Sequence, residues 1–347
     1  MVSNTSLFTD IHFDQDGKHI GYIQAPQSTN TAGWANLFIP LIVIKNGAGP
    51  TALLFGGNHG DEYEGPVTLL KLARSIEPDQ IHGRIILLPA LNTPAVLNNS
   101  RLSPVDGRNM NRAFPGLPTD TLTGQIAHYV SSTLMPLADL VVDVHSGGRS
   151  MHFLPSANMH RVADPTQMRA MVRLGLAWGA PYVFIYQDVA GGGLLPSYAE
   201  SLGKITLGTE MGSASQYGPA TLRLAFDGLR HVLSEMGILT SDTVQTGLES
   251  SVQHAPASPV STSTLVSSEL RDDYIMSPAS GIVEPLVELG DDVVAGQAVA
   301  HIHFIEQPAW EGLVVRARTA GFVMSRRAIP LTGQGDCLVV VARPCDV

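Results

Sequence analysis

From residue 36 to about residue 240, short apolar runs alternate with longer stretches whose apolar residues recur every three or four positions. The runs NLFIPLIVI (36–44), TALLFGG (51–57), RIILLPAL (84–91), DLVVDVHSGG (139–148), YVFIY (182–186) and KITLGTEMG (204–212) read as strands. Between them, EGPVTLLKLARSIEP (64–78), TGQIAHYVSSTLMPLA (123–138), TQMRAMVRLGLAWGA (166–180) and PATLRLAFDGLRHVLSEMG (219–237) carry helical spacing. This alternation predicts an α/β domain over residues 1–240, with a mostly parallel or mixed sheet and helices on both faces. In such sheets ligands bind beyond the carboxyl ends of the strands. The ionisable clusters of this chain fall there: after TALLFGG, at the end of LVVDVH and after KITLGTE.

Residues 241–270 change character, being rich in Ser, Thr, Val and Pro with no lysine or arginine, and read as a linker or extended crossover. Beyond them, residues 271–347 show short strands punctuated by Gly, Pro and Asp-Asp turns, which predicts a compact all-β domain.

Composition narrows the class. Hydrophobic residues make up 44% and charged residues 15%, as in a well-buried globular enzyme and unlike a disordered chain. A formal charge of −10 disfavours nucleic acid and anionic membranes as partners. No apolar run approaches the roughly 18–20 residues that span a bilayer. The first twenty residues lack a basic segment followed by an apolar one, and the two cysteines, Cys337 and Cys345, form no disulfide framework. The expectation is a cytoplasmic protein.

The stretch GGNHGDEYEG (56–65) follows a buried strand yet holds a histidine, an aspartate and two glutamates between glycines. A lone H-x-x-E is common by chance, and an ordinary acidic loop is the alternative. Catalytic zinc needs three protein ligands and an open position. His59 and Glu62 supply two. His145, at the end of an apolar strand in DVHSGG, is the candidate third, and Asp143 is placed to accept a hydrogen bond from a ligand imidazole. Together these make a site for one Zn2+ per subunit the better reading. The loop NNSRLSPVDGRNMNRAFPG (98–116) concentrates Arg101, Arg108, Asn111 and Arg112 in an otherwise acidic protein. Arginines can bind a carboxylate or stabilise an oxyanion. Glu210, closing a strand on the same rim, is the natural general base.

In this order, H-x-x-E, the R…N-x-N-R loop, DVHSGG and a late E-x-G, the chain resembles the succinylglutamate desuccinylase/aspartoacylase family of zinc carboxypeptidase-like hydrolases. The resemblance implies a mixed sheet flanked by helices, with a C-terminal all-β domain. It implies His59, Glu62 and His145 as zinc ligands and Glu210 as base and acid. Asn111 and Arg112 match the pair that holds the substrate carboxylate, Arg101 matches the carbonyl-polarising arginine, and Arg108 competes for that role. Family members cleave small N-acyl amino acids. The FPG-containing loop and the C-terminal β region look most like the branch acting on Nα-acetyl-L-2,4-diaminobutyrate; another N-acyl amino acid, or a peptide, is the alternative. A homo-oligomer is compatible with this architecture. The C-terminal region also looks like a biotinyl/lipoyl-type half-barrel, but residues 271–347 contain no lysine, which excludes a covalent carrier role.

Overall fold

A computed structural model of the chain describes residues 6–187, 191–212, 217–240 and 263–346. A long hairpin, β1 (Gly17–Thr29) and β2 (Ala32–Asn46), precedes β3 (Thr51–Gly56), α1 (Glu64–Ser75), β4 (Gly83–Leu88) and α2 (Thr93–Asn98). Next come α3 (Leu122–Tyr129), β5 (Leu140–Val144), β6 (Met151–Phe153), β7 (Ser156–His160), α4 (Pro165–Trp178) and β8 (Tyr182–Tyr186). They lead to α5 (Leu195–Ser201), β9 (Ile205–Glu210) and α6 (Pro219–Glu235). The remaining strands are β10 (Thr264–Ser268), β11 (Tyr274–Met276), β12 (Gly281–Pro285), β13 (Asp292–Val293) and β14 (Ala298–His303). They end with β15 (Leu313–Arg316), β16 (Gly321–Arg327), β17 (Leu331–Thr332) and β18 (Cys337–Pro344).

The fold is mixed α/β, as expected. One large sheet runs β1-β2-β4-β3-β5-β9-β7-β8-β10-β18-β16-β13, and within it β4, β3, β5 and β9 are mutually parallel. The apolar runs lack alternation because both faces of these strands are covered. Ala52 and Leu54 of β3 pack with Leu69 and Leu72 of α1, Trp178 of α4 and Leu229 of α6. Leu53 and Phe55 face the opposite layer, with Ile126 of α3 and Leu195 of α5. Each such fully buried aliphatic side chain contributes on the order of 1.5–3 kcal/mol.

Two strands of the sheet carry no sequence signal of their own. β1 is interrupted by Gly21 and Pro26 and lies on the edge, where one side of its backbone is unpaired. β7, SANMH, is short and polar, yet every residue is buried because β8 and β9 flank it. Of the segment read as a linker, residues 241–262 lie outside the described residues, whereas Thr264–Ser268 forms β10. That strand pairs parallel with β8 and antiparallel with β18, so the α/β sheet continues edge to edge into the C-terminal strands. A second, antiparallel sheet, β15-β14-β12-β17, shares a separate core built around Val299, Ile302 and Val341. Among the described residues no helix is long and apolar enough to cross a membrane.

The parallel group fixes where chemistry can be placed. In register, Phe55 lies beside Asp143 and Asp143 beside Gly208, so the ends of β3, β5 and β9 reach one rim together. β7 runs antiparallel to β9, which sets its first residue, Ser156, opposite Glu210 on that same rim.

Candidate functional site

The loop that follows β3 owes its path to its glycines. Gly57 has a φ of +65°, open to glycine at little cost. Gly60 lies so close to α2 that an added Cβ would sit 2.0 Å from the Ala95 carbonyl carbon, so no side chain fits there. The turn therefore folds tightly against α2 and swings His59 and Glu62 back over the strand ends. Asp61 points elsewhere: its Oδ2 accepts the Arg149 amide at 2.9 Å and ties this loop to the one carrying His145.

His59, Glu62 and His145 converge, with donor atoms all within 4.8 Å of one another. Nδ1 of His59 lies 2.8 Å from Glu62 Oε1, and Nδ1 of His145 lies 2.7 Å from Glu62 Oε2. The far nitrogens face acceptors. His59 Nε2 lies 3.2 Å from Asn109 Oδ1, and His145 Nε2 lies 2.8 Å from Asp143 Oδ2, which also accepts from Asn58 Nδ2 at 2.7 Å. An Nε2–H donated to each acceptor fixes the tautomer and turns both Nδ1 lone pairs onto the Glu62 carboxylate. Three electron-rich donors so arranged need positive charge between them, as a proton or as a cation. The set of two imidazoles and one carboxylate suits a borderline divalent ion such as zinc.

The electrostatics carry the same demand. Burial works against the Glu62 carboxylate, but His59 and His145 outweigh it and hold the group well below the usual carboxylate range. Burial also opposes a charged His145, and Asp143 and Glu62 overcome it, lifting that imidazole well above its ordinary value. For His59 burial prevails and its value falls. Glu210 is pushed up to about 8, first by burial and then by the charge of Glu62. Its Oε2 is buried without a hydrogen-bond partner.

All of these groups face one cavity of about 200 Å³. Arg101 lines it and donates from Nη1 to Glu62 Oε1 at 3.3 Å. Asn111 is buried, its Oδ1 accepting the Leu195 amide at 2.8 Å and its Nδ2 lying 3.5 Å from His145 Nε2. Arg112 stands exposed at the cavity wall. Arg108 is placed apart from the cluster: its Nη1 pairs with Asp120 at 2.7 Å, and it does not line the cavity. The structure thus brings His59, Glu62, His145, Asp143, Glu210, Arg101, Asn111 and Arg112 together and leaves Arg108 outside.

Several neighbours escape sequence reasoning. Asn109 sits in the quoted N-x-N-R loop, but only the fold shows its contact with His59. Asn58 precedes His59 and had no motif to mark it. Asn158 and Tyr186 line the cavity from β7 and β8, and their positions follow from strand order alone. An adjoining cavity of about 190 Å³ extends past Arg112 and Glu210 between Phe184, Tyr186 and Tyr274. Tyr274 comes from the C-terminal strands.

The chain is similar to known proteins of one family. Residues 48–236 match the model of the succinylglutamate desuccinylase/aspartoacylase catalytic domain. A Halomonas elongata protein named N-alpha-acetyl-L-2,4-diaminobutyric acid deacetylase is 34% identical over 332 residues, spanning 96% of this chain and 93% of that one. The crystal structure of a succinylglutamate desuccinylase/aspartoacylase from Rhodobacter sphaeroides superposes with a TM-score of 0.89 at 36% identity, covering 99% of this chain and 100% of that one. The product-bound structure of the ectoine utilization protein EutE (DoeB) from Ruegeria pomeroyi gives 0.87 at 37% identity, covering 97% and 98%.

Proposed function

This chain belongs to the succinylglutamate desuccinylase/aspartoacylase family, and from that premise we propose that it is a zinc-dependent deacetylase of Nα-acetyl-L-2,4-diaminobutyrate, releasing acetate and the free diamino acid. The coarser activity, hydrolysis of the amide of a small N-acyl amino acid, is that of the family. The observation that carries the reading is the meeting of His59, Glu62 and His145 with Arg101 and the unpartnered Glu210 oxygen at one cavity.

In this reading His59, Glu62 and His145 hold the zinc ion, one per subunit, and Asp143 and Asn109 orient the two imidazoles. Bound there, zinc supplies the Lewis acidity that activates the acyl carbonyl and the attacking water. Glu210 takes the proton of that water and then delivers it to the leaving amine, a task suited to a carboxyl group whose value is raised toward neutrality. Arg101 stabilises the oxyanion, a role supported by the hydrogen bond from its Nη1 to Glu62 Oε1. Asn111 and Arg112 hold the substrate carboxylate. The aromatic extension past Glu210, walled by Phe184, Tyr186 and Tyr274, receives the side-chain ammonium.

The likeness to the Halomonas elongata and Ruegeria pomeroyi proteins and the aromatic wall of the adjoining cavity support this substrate. A deacylation panel tests it. Zinc-loaded protein is expected to turn over Nα-acetyl-diaminobutyrate faster than N-acetyl-aspartate or N-succinyl-glutamate. Preference for either of the latter overturns the substrate, and peptide cleavage without N-acyl amino acid turnover overturns the activity.

A further inference from the structure

The C-terminal sheet carries a second set of metal-ligating side chains, built from residues unrelated to the cavity. On the antiparallel pair β12 and β14, Glu284 stands opposite His301 and Ile282 opposite His303. Residues two apart on a strand share a face. His301 and His303 therefore project together on the side of Glu284, while Ile302 between them is fully buried in the core beneath. One oxygen, Glu284 Oε2, faces both rings: His303 Nε2 lies 2.8 Å from it and His301 Nδ1 lies 3.6 Å from it. The ring centroids are 4.3 Å apart, and the donor atoms of all three residues lie within 4.8 Å of one another.

Two details go beyond an ordinary surface ion pair. Zinc bonds of about 2.0–2.2 Å in tetrahedral geometry place ligand atoms about 3.3 Å apart, a spacing that the two observed separations bracket. Gly312 also stands beside His301. Gly312, with a φ of +85°, approaches so closely that an added Cβ would lie 2.8 Å from His301 Nε2. A side chain at position 312 would crowd the Nε2 edge of that ring, while Nδ1 is the nitrogen on the Glu284 side.

We propose that Glu284, His301 and His303 form a second metal site on the C-terminal sheet, for a divalent cation of the Zn2+, Ni2+ or Cu2+ class. Two imidazole nitrogens with one carboxylate oxygen match these ions, whereas Mg2+ and Ca2+ require oxygen-rich shells. The ligands come from neighbouring strands already held by their backbone ladder, so binding needs side-chain adjustment only. His303 and Glu284 are half exposed, which leaves the remaining coordination positions open to water or to a small anionic ligand. The site owes nothing to the amide-hydrolysis reading and stands or falls separately from it.

Zinc content at equilibrium dialysis tests the site on the full chain, comparing the parent, the single variant His303→Gln and the double variant His301→Ala/His303→Ala. The parent is expected to bind one more equivalent of Zn2+ than the double variant, and the single variant to bind that equivalent at least tenfold more weakly. Deacylation rates should be the same in all three, and the near-UV circular dichroism of the variants should match the parent. A Cu2+ titration followed by electron paramagnetic resonance should show, beyond the signal of the buried cluster, a second nitrogen-coupled copper signal that the double variant lacks. Equal zinc content in parent and double variant, or a copper signal that survives the double substitution unchanged, overturns the site.

Discussion

Two clusters in this molecule have the same composition, two histidines and one glutamate, and opposite surroundings. The first lies at the carboxyl ends of parallel strands, with His59 and Glu62 buried. The second lies on an open antiparallel sheet, with His303 and Glu284 half exposed. In the first, the far nitrogens of the imidazoles are engaged by Asn109 and Asp143, a guanidinium touches the carboxylate, and an unpartnered glutamate stands alongside. In the second, one carboxylate oxygen faces both rings. The difference teaches that a ligand set makes a binding site, while reactivity comes from what burial does to the neighbours. A charge pair at 2.7 Å, the separation of His145 Nδ1 and Glu62 Oε2, attracts by about 6 kcal/mol at an effective dielectric of 20, and about a quarter of that in bulk water. That attraction keeps Glu62 ionised against its desolvation, and the same ionised Glu62 helps to keep Glu210 protonated.

The sharpest way to break the contrast is at the buried ligands. His145→Ala should lose the cluster's zinc and essentially all turnover, read by elemental analysis and a deacylation assay; retention of both would place the reactive metal elsewhere. Glu210→Gln should keep its zinc while kcat falls by about 10²–10⁴-fold, the range for a lost general acid–base. Its pH dependence has a defined sign. A carboxyl raised to about 8 is neutral below that pH and works as a base only once ionised, so kcat/KM should rise with pH. A cation in the cluster draws the rising limb below 8, and a pH profile unchanged in Glu210→Gln would remove this residue from the proton transfers.

The two arginines offer a smaller effect. Arg101→Ala should cost about 10²–10³-fold in kcat, as for a lost oxyanion donor, whereas Arg108→Ala should change it by no more than about threefold. The reverse order in steady-state kinetics would exchange their roles. Smaller than the loss at Arg101 is that of Asp143→Ala, expected to weaken zinc binding by about 10–100-fold in a competition titration, because His145 would lose the acceptor that orients its ring. An unchanged affinity would remove Asp143 from the orientation of that ring.

Much of the α/β architecture was legible because strands buried on both faces must be apolar throughout, and helices that cover them must show one apolar stripe. The six runs and four periodic stretches became elements of the sheet and its two helical layers for that reason. β1 and β7 were not legible: one lies on a sheet edge, and the other is buried by its neighbours although SANMH carries no apolar pattern. The cavity divides likewise. His59, Glu62 and His145 stood out because ionisable residues beside glycine at strand ends are costly unless used. Asn109, Asn158 and Tyr186 did not, because amides and phenols occur throughout proteins and acquire meaning only from what they face.

Sequence by itself therefore determined the α/β class, the rim where ionisable groups collect and the types of ligand available, since these depend on local pattern and side-chain chemistry. Only the tertiary structure decided which nitrogen of each imidazole faces Glu62, that Arg101 and not Arg108 reaches the cluster, and that Tyr274 from the C-terminal strands helps wall the adjoining cavity. It alone brought Glu284 beside His301 and His303 as well. These are contacts between residues distant in sequence, set by strand order and register, and no local pattern of residues encodes them.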